Sequence, residues 1–96
     1  MQGVTYRPIG RIVVRKIGDE ILLVPVSGPP AGARVYPVNP TARIIWDSLS
    51  AGEPVSRAAE RLVESFDVSS LEEALADCEA CAQAFVAESL LEAKPA

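Results

Sequence analysis

The chain changes character near residue 39, and this change constrains its fold more than any other feature of its 96 residues. Short runs of β-branched and aliphatic residues come first, whereas later apolar residues recur at the three- and four-residue spacing of helices. Strand patterns followed by helix patterns are typical of the α+β class, in which helices cover one face of a small sheet. We therefore expect an α+β fold with a three-stranded antiparallel sheet followed by three helices.

Three segments of the first half have strand patterns. Arg11–Ile17 and Glu20–Val24 are rich in aliphatic residues and flank a Gly-Asp turn pair, which predicts a hairpin. After the loop Ser27–Gly32, the segment Arg34–Val38 predicts a third strand. Pro37 cannot donate a ladder hydrogen bond, so we expect this strand at an edge of the sheet or ending there.

The first predicted helix has clear signals at both ends. Asn39 can cap it, and Pro40 suits its first turn, where the missing N–H costs nothing. Ile45 and Trp46 lie on its apolar face, and Gly52 ends it. We expect Trp46 in the core.

Two more helices follow. Ser56 is the expected cap of the second helix, which ends near Phe66 and has the apolar stripe Ala59, Leu62, Val63 and Phe66. Ser70, with Glu73 three residues later, is typical of a capping box. We expect this third helix to end at about Leu91. Its apolar stripe consists of Leu71, Leu75, Cys78, Ala82 and Phe85.

Composition narrows the functions available. The chain has no histidine, which excludes imidazole-based acid–base catalysis and zinc sites built on imidazole. Its net charge of −4 combines +4 in residues 1–43 with −8 in the rest, which argues against a strongly electrostatic nucleic-acid partner. No apolar run approaches the length of a membrane span. We expect one cytoplasmic domain over residues 1–96, with its core at about 11–91 and no cofactor.

The two cysteines invite a redox or metal interpretation. Cys78 and Cys81 lie in the middle of the third helix beside Asp77 and Glu79, which favour the protonated thiol. We expect both to be small buried residues, with redox, metal or partner roles as alternatives. The neighbouring carboxylates indicate a solvated helix face, and the serines have no base partner. The residues therefore indicate no catalytic group and no metal site.

Two binding functions remain open. A small sheet with three helices can form a winged helix-turn-helix, but a DNA-recognition helix needs residues such as Arg, Lys, Asn and Gln. In the second helix Arg57 and Arg61 are balanced by Glu60 and Glu64, and the third helix is acidic. An edge strand with free N–H and C=O groups can instead accept a strand from another chain, including a second copy.

The segment from Val38 to Leu49 resembles the PqqD family. These proteins are the peptide chaperones of pyrroloquinoline quinone biosynthesis and the related recognition domains of other modified-peptide pathways. The block that carries the resemblance is Val38, Asn39, the Ile45-Trp46 pair and Gly52. Weaker correspondences, over roughly residues 11–91, are Val55, Ala59, Leu62, Phe66, Val68, Asp77, Cys78, Cys81, Ala82, Phe85, Leu90 and Leu91.

The resemblance implies a winged helix-turn-helix-like shape and a non-catalytic function. The leader of a ribosomally made precursor peptide would lie along the third strand, beside the last helix, and be presented to a modifying enzyme. In the quinone pathway that enzyme is a radical SAM enzyme. The residues then expected to contact the peptide are Arg34, Val35, Tyr36, Val38, Asp77, Cys78, Cys81, Ala82 and Phe85. Ordinary core packing is the alternative for the helix residues, and a DNA-binding regulator is the alternative function.

Overall fold

The computed structural model of the chain describes residues 4–27, 35–65 and 70–94. These segments contain five strands and three helices: β1 (Thr5–Pro8), β2 (Ile12–Ile17), β3 (Glu20–Pro25), β4 (Tyr36–Val38), α1 (Pro40–Ser50), α2 (Val55–Ser65), α3 (Leu71–Ala87) and β5 (Leu91–Lys94). The predicted α+β class, with a three-stranded antiparallel sheet followed by three helices, is confirmed.

The three-stranded sheet has the order β2-β3-β4, and both ladders are antiparallel. Gly18 has φ of 61°, a left-handed conformation that suits the tight turn between β2 and β3. The strand that contains Pro37 lies at an edge, as predicted. It begins at Tyr36 rather than Arg34 among the described residues, while Arg34 and most of the predicted loop Ser27–Gly32 lie outside them.

A second sheet of two strands was not predicted. β1 and β5 pair antiparallel, with Tyr6 opposite Ala93. The prediction that the third helix continues to Leu91 was therefore wrong, because α3 ends at Ala87. Ser89 takes a left-handed φ of 63°, in the turn that follows the helix. Leu91 is fully buried and begins the strand that pairs with β1.

Side-chain caps start two of the helices where they were expected. Asn39 Oδ1 accepts a hydrogen bond from the Ala42 N–H at 2.7 Å, and Pro40 occupies the first turn of α1. Ser70 Oγ accepts from the Glu73 N–H at 3.1 Å. Both caps satisfy backbone donors that have no partner within the helix.

The expected cap of the second helix was wrong. Ser56 lies inside α2, which begins at Val55. The Pro54 carbonyl accepts from the N–H groups of Arg57 and Ala58, so the helix begins two residues earlier than predicted.

The core lies where the helices meet the two sheets. Trp46 is 3% exposed, as predicted, and its ring meets Phe85 edge to face with centroids 5.2 Å apart. Two predicted stripe positions are wrong, because Val63 and Leu71 are 40% and 48% exposed. The fully buried residues in those helices include Ala58 and Ala74, whose small side chains permit close helix contacts. Phe66 and Val68 lie outside the described residues.

No helix in the described part of the chain has the length and apolar character needed to cross a membrane.

Candidate functional site

Proline determines which main-chain groups of β4 face outward. Leu22 of β3 lies opposite Pro37. Because proline has no N–H, this pair must be a non-hydrogen-bonded pair of the antiparallel ladder. The flanking residues Tyr36 and Val38 then direct their N–H and C=O groups towards β3.

The free edge of β4 therefore has an uneven set of hydrogen-bonding groups. Val35 directly precedes β4, and extending the alternation of the strand by one residue places its N–H and C=O on the side away from β3, whereas Pro37 offers only a carbonyl there. A strand added here would form a full pair of hydrogen bonds at Val35 and a single bond at Pro37. The position of proline in the sequence was the signal for this asymmetry.

The side chains of β4 divide between the two faces of the sheet. Tyr36 and Val38 are half-buried and pack against the core, on the same face as the fully buried Leu23. Val35 is 45% exposed, and Pro37 is also exposed. In the part of the chain that the structure describes, no other strand pairs with this edge, which combines an apolar inner face with outward main-chain groups.

The predicted site residues of α3 fall at different depths. Cys78 and Ala82 are fully buried and Phe85 is 6% exposed, so all three belong to the core. Cys81 is half-buried and packs against the same core, while Asp77 is exposed. The structure therefore brings Tyr36, Val38 and the four apolar helix residues into one cluster, in which Tyr36, Val38 and Cys81 are partly exposed. Asp77 lies outside this cluster. Arg34 lies outside the described residues.

The thiols are held in the neutral form. Burial, reinforced by Cys81 and by the carboxylates of Asp77 and Glu79, raises the pKa of Cys78 to about 11. Burial also raises the pKa of the Cys81 thiol. A raised thiol pKa disfavours the reactive thiolate. Within the described residues, no group of three or more His, Cys, Asp or Glu side chains could hold a metal ion.

The helices lack the surface of a DNA-recognition element. α3 has no lysine or arginine, and its Glu72, Asp77 and Glu79 are exposed. The arginines of α2 are engaged within the protein, since Arg57 pairs with Glu60 at 3.0 Å and Arg61 with Glu53 at 3.1 Å. The DNA-binding alternative is therefore not favoured.

Comparison with known proteins agrees with this architecture. The family model of Coenzyme PQQ synthesis protein D (PqqD) matches residues 21–91, a range that begins in β3 and ends at the start of β5. The chain belongs to the PqqD family. The family resemblance predicted from the Asn-Pro-Thr-Ala and Ile-Trp segment is thus confirmed.

The fold of this chain is similar to that of a solved structure described as lasso peptide synthetase B1 complexed with the leader peptide. The two chains superpose with a TM-score of 0.74 at 18% sequence identity, covering 91% of this chain and 96% of the other. At this identity the match shows a shared fold. The comparison with curated proteins gave no match.

Proposed function

We propose that the chain binds the leader of a ribosomally synthesised precursor peptide as an added strand on β4. The observation that carries this proposal is the open β4 edge, which lies over the apolar core in a PqqD-family fold. Main-chain bonds would supply affinity, and the side chains along the edge would select the peptide. The solved lasso peptide synthetase B1 of similar fold is complexed with a leader peptide, which supports a leader as the ligand.

The buried and exposed site residues have different roles in this proposal. Side chains of the leader that point inwards contact Tyr36 and Val38 on β4, and Cys81 on α3. Asp77 forms a polar rim. Cys78, Ala82 and Phe85 are buried and support this surface from below. Arg34 lies outside the described residues, and its contact with the leader stays a prediction.

The chain itself supplies no chemistry in this function. Both thiols have a raised pKa, which leaves them poor nucleophiles near neutral pH. A separate enzyme would modify the precursor, a radical SAM enzyme if the precursor belongs to the quinone pathway. The bound leader would hold the precursor for that enzyme in the cytoplasm.

The proposal can be tested by NMR titration with the leader encoded beside the gene for this chain. We expect backbone amide shifts at Val35, Tyr36 and Val38 and along α3. Val35→Pro should weaken binding by about fivefold, because it removes the outward N–H and its net hydrogen bond of about 1 kcal/mol without touching the β3 ladder. Val35→Ala is the matched control, since it keeps the N–H.

Two results would overturn the proposal. The first is a set of shifts that leaves residues 35–38 unchanged. The second is an equal loss of affinity in Val35→Pro and Val35→Ala, which would mean that no main-chain bond forms at this edge. Sedimentation of the free chain separates peptide binding from the competing use of the edge, the pairing of two copies.

A further inference from the structure

The opposite edge of the sheet has a fuller set of main-chain groups. Ile12 of β2 lies opposite Pro25 of β3, so this pair is also non-hydrogen-bonded. The bond from the Val26 N–H to the Arg11 carbonyl, at 2.8 Å, fits the same alternation. Every second residue of β2 therefore directs both its N–H and its C=O outward; these residues are Ile12, Val14 and Lys16.

Unpaired positive charge collects along the same strand. Among the described residues, four cations form no ion pair. Three of them lie on or directly before β2, namely Arg11, Arg15 and Lys16, and the fourth is Lys94 in β5. The other four described cations pair with carboxylates. Although the chain has a net charge of −4, every charged residue between Arg11 and Lys16 is positive, and these residues lie along one edge of the sheet.

We propose that the β2 edge binds an acidic, extended segment of a partner protein as an added strand. Outward main-chain groups recur every second residue, about 6.6 Å apart, which is the repeat of a paired strand. Acidic side chains on such a strand would meet Arg15 on one face of the sheet and Lys16 on the other. Because β3 separates β2 from β4, this segment and a peptide on β4 can bind at the same time.

Charge argues against a second copy of the chain as the occupant. Antiparallel pairing of two β2 strands about Val14 would bring Arg15 and Lys16 of both copies into one short ladder. Like charges at neighbouring cross-strand positions are destabilising. Asp19 and Glu20, at the hairpin end, would repel an acidic strand, which limits the favourable stretch to Arg11–Lys16.

The experiment uses as the probe a capped heptapeptide of valine with two adjacent central glutamates, so that one glutamate lies on each face of the added strand. We expect amide shifts centred on Ile12, Val14 and Lys16, with affinity that falls as added salt screens the charges. Lys16→Ala removes the charge and keeps the N–H, whereas Lys16→Pro removes both. We expect about threefold weaker binding for Lys16→Ala and at least tenfold for Lys16→Pro, in line with the worth of one charge pair and one net hydrogen bond.

Two matched controls accompany this titration. A peptide with lysine in place of glutamate should not bind, and Lys94→Ala should leave the affinity unchanged. Equal effects of Lys94→Ala and Lys16→Ala would overturn the proposal, because they would indicate general charge attraction. Shifts confined to residues 35–38, or no binding of the glutamate peptide, would also overturn it. None of these results bears on the leader titration at β4.

Discussion

The two edges of the three-stranded sheet differ in what they offer another strand. β2 has an unbroken series of outward main-chain groups but carries the cations Arg15 and Lys16. β4 has no charged residue among its three positions, yet Pro37 removes one outward donor. In the two proposals, charge selects the strand that pairs with one edge and main-chain chemistry selects the strand that pairs with the other. Charged residues and proline on edge strands are both known to oppose unselective sheet extension.

The largest expected effect comes from the strand that supports both edges. Leu23 of β3 is fully buried, and Leu23→Ala should lower the free energy of unfolding by about 3 kcal/mol through lost burial and a residual cavity. Urea denaturation measures the change. Leu22→Ala, on the opposite face and only half-buried, should cost clearly less. Equal losses would mean that the two faces of the sheet are not distinct.

The β4 edge should be sensitive to the aromatic residue that it carries. Tyr36→Ala should weaken leader binding by about tenfold, because an anchoring aromatic surface is lost, and should lower stability much less. Calorimetric titration and thermal unfolding measure the two effects. Tyr36→Phe, which keeps the ring, should retain most of the affinity. Unchanged affinity together with a collapse of stability would place Tyr36 in the core alone.

Restoring the missing donor should make the two edges more alike. Pro37→Val adds an outward N–H on β4, and one net hydrogen bond of about 1 kcal/mol should tighten leader binding about fivefold. Calorimetry on the wild type and the variant measures the gain. An unchanged affinity, together with new protection from hydrogen exchange within the β3–β4 ladder, would contradict this assignment. It would mean that the main chain of residue 37 faces β3.

The smallest effect is expected from removing the charges on β2. The double change Arg15→Val with Lys16→Val should cause weak, concentration-dependent self-association, because uncharged edge strands pair readily. Sedimentation equilibrium detects it. Lys94→Val is the matched control and should stay at the oligomeric state of the unmodified chain. Equal self-association of both variants would show that the charge on β2 does not specifically prevent pairing of β2 edges.

Local signals were readable in the sequence because neighbouring residues determine them. Asn39 and Ser70 cap helices through bonds that span three residues, and Pro37 marks an edge by its own chemistry. The rotation of a helix about its axis depends on partners distant in sequence. For that reason Val63 and Leu71 were assigned to the core although both are exposed.

The candidate site shows the same division between local and distant causes. The strand side of the site followed from Pro37 and the edge it implies. The depth of α3 did not, since only the packed structure separates the half-buried Cys81 from the fully buried Cys78 and Ala82. The charge along β2 was visible in the sequence as a basic half. Its alignment with outward main-chain groups required the register.

The pairing of β1 with β5 also sets the order of events when the protein is made. Thr5 pairs with Lys94, so β1 leaves the ribosome well before the strand that pairs with it. Tyr6, which is buried in the folded protein and lies opposite Ala93, has no cross-strand neighbour until β5 has been translated. This part of the core is thus completed only after both edges of the other sheet have been translated.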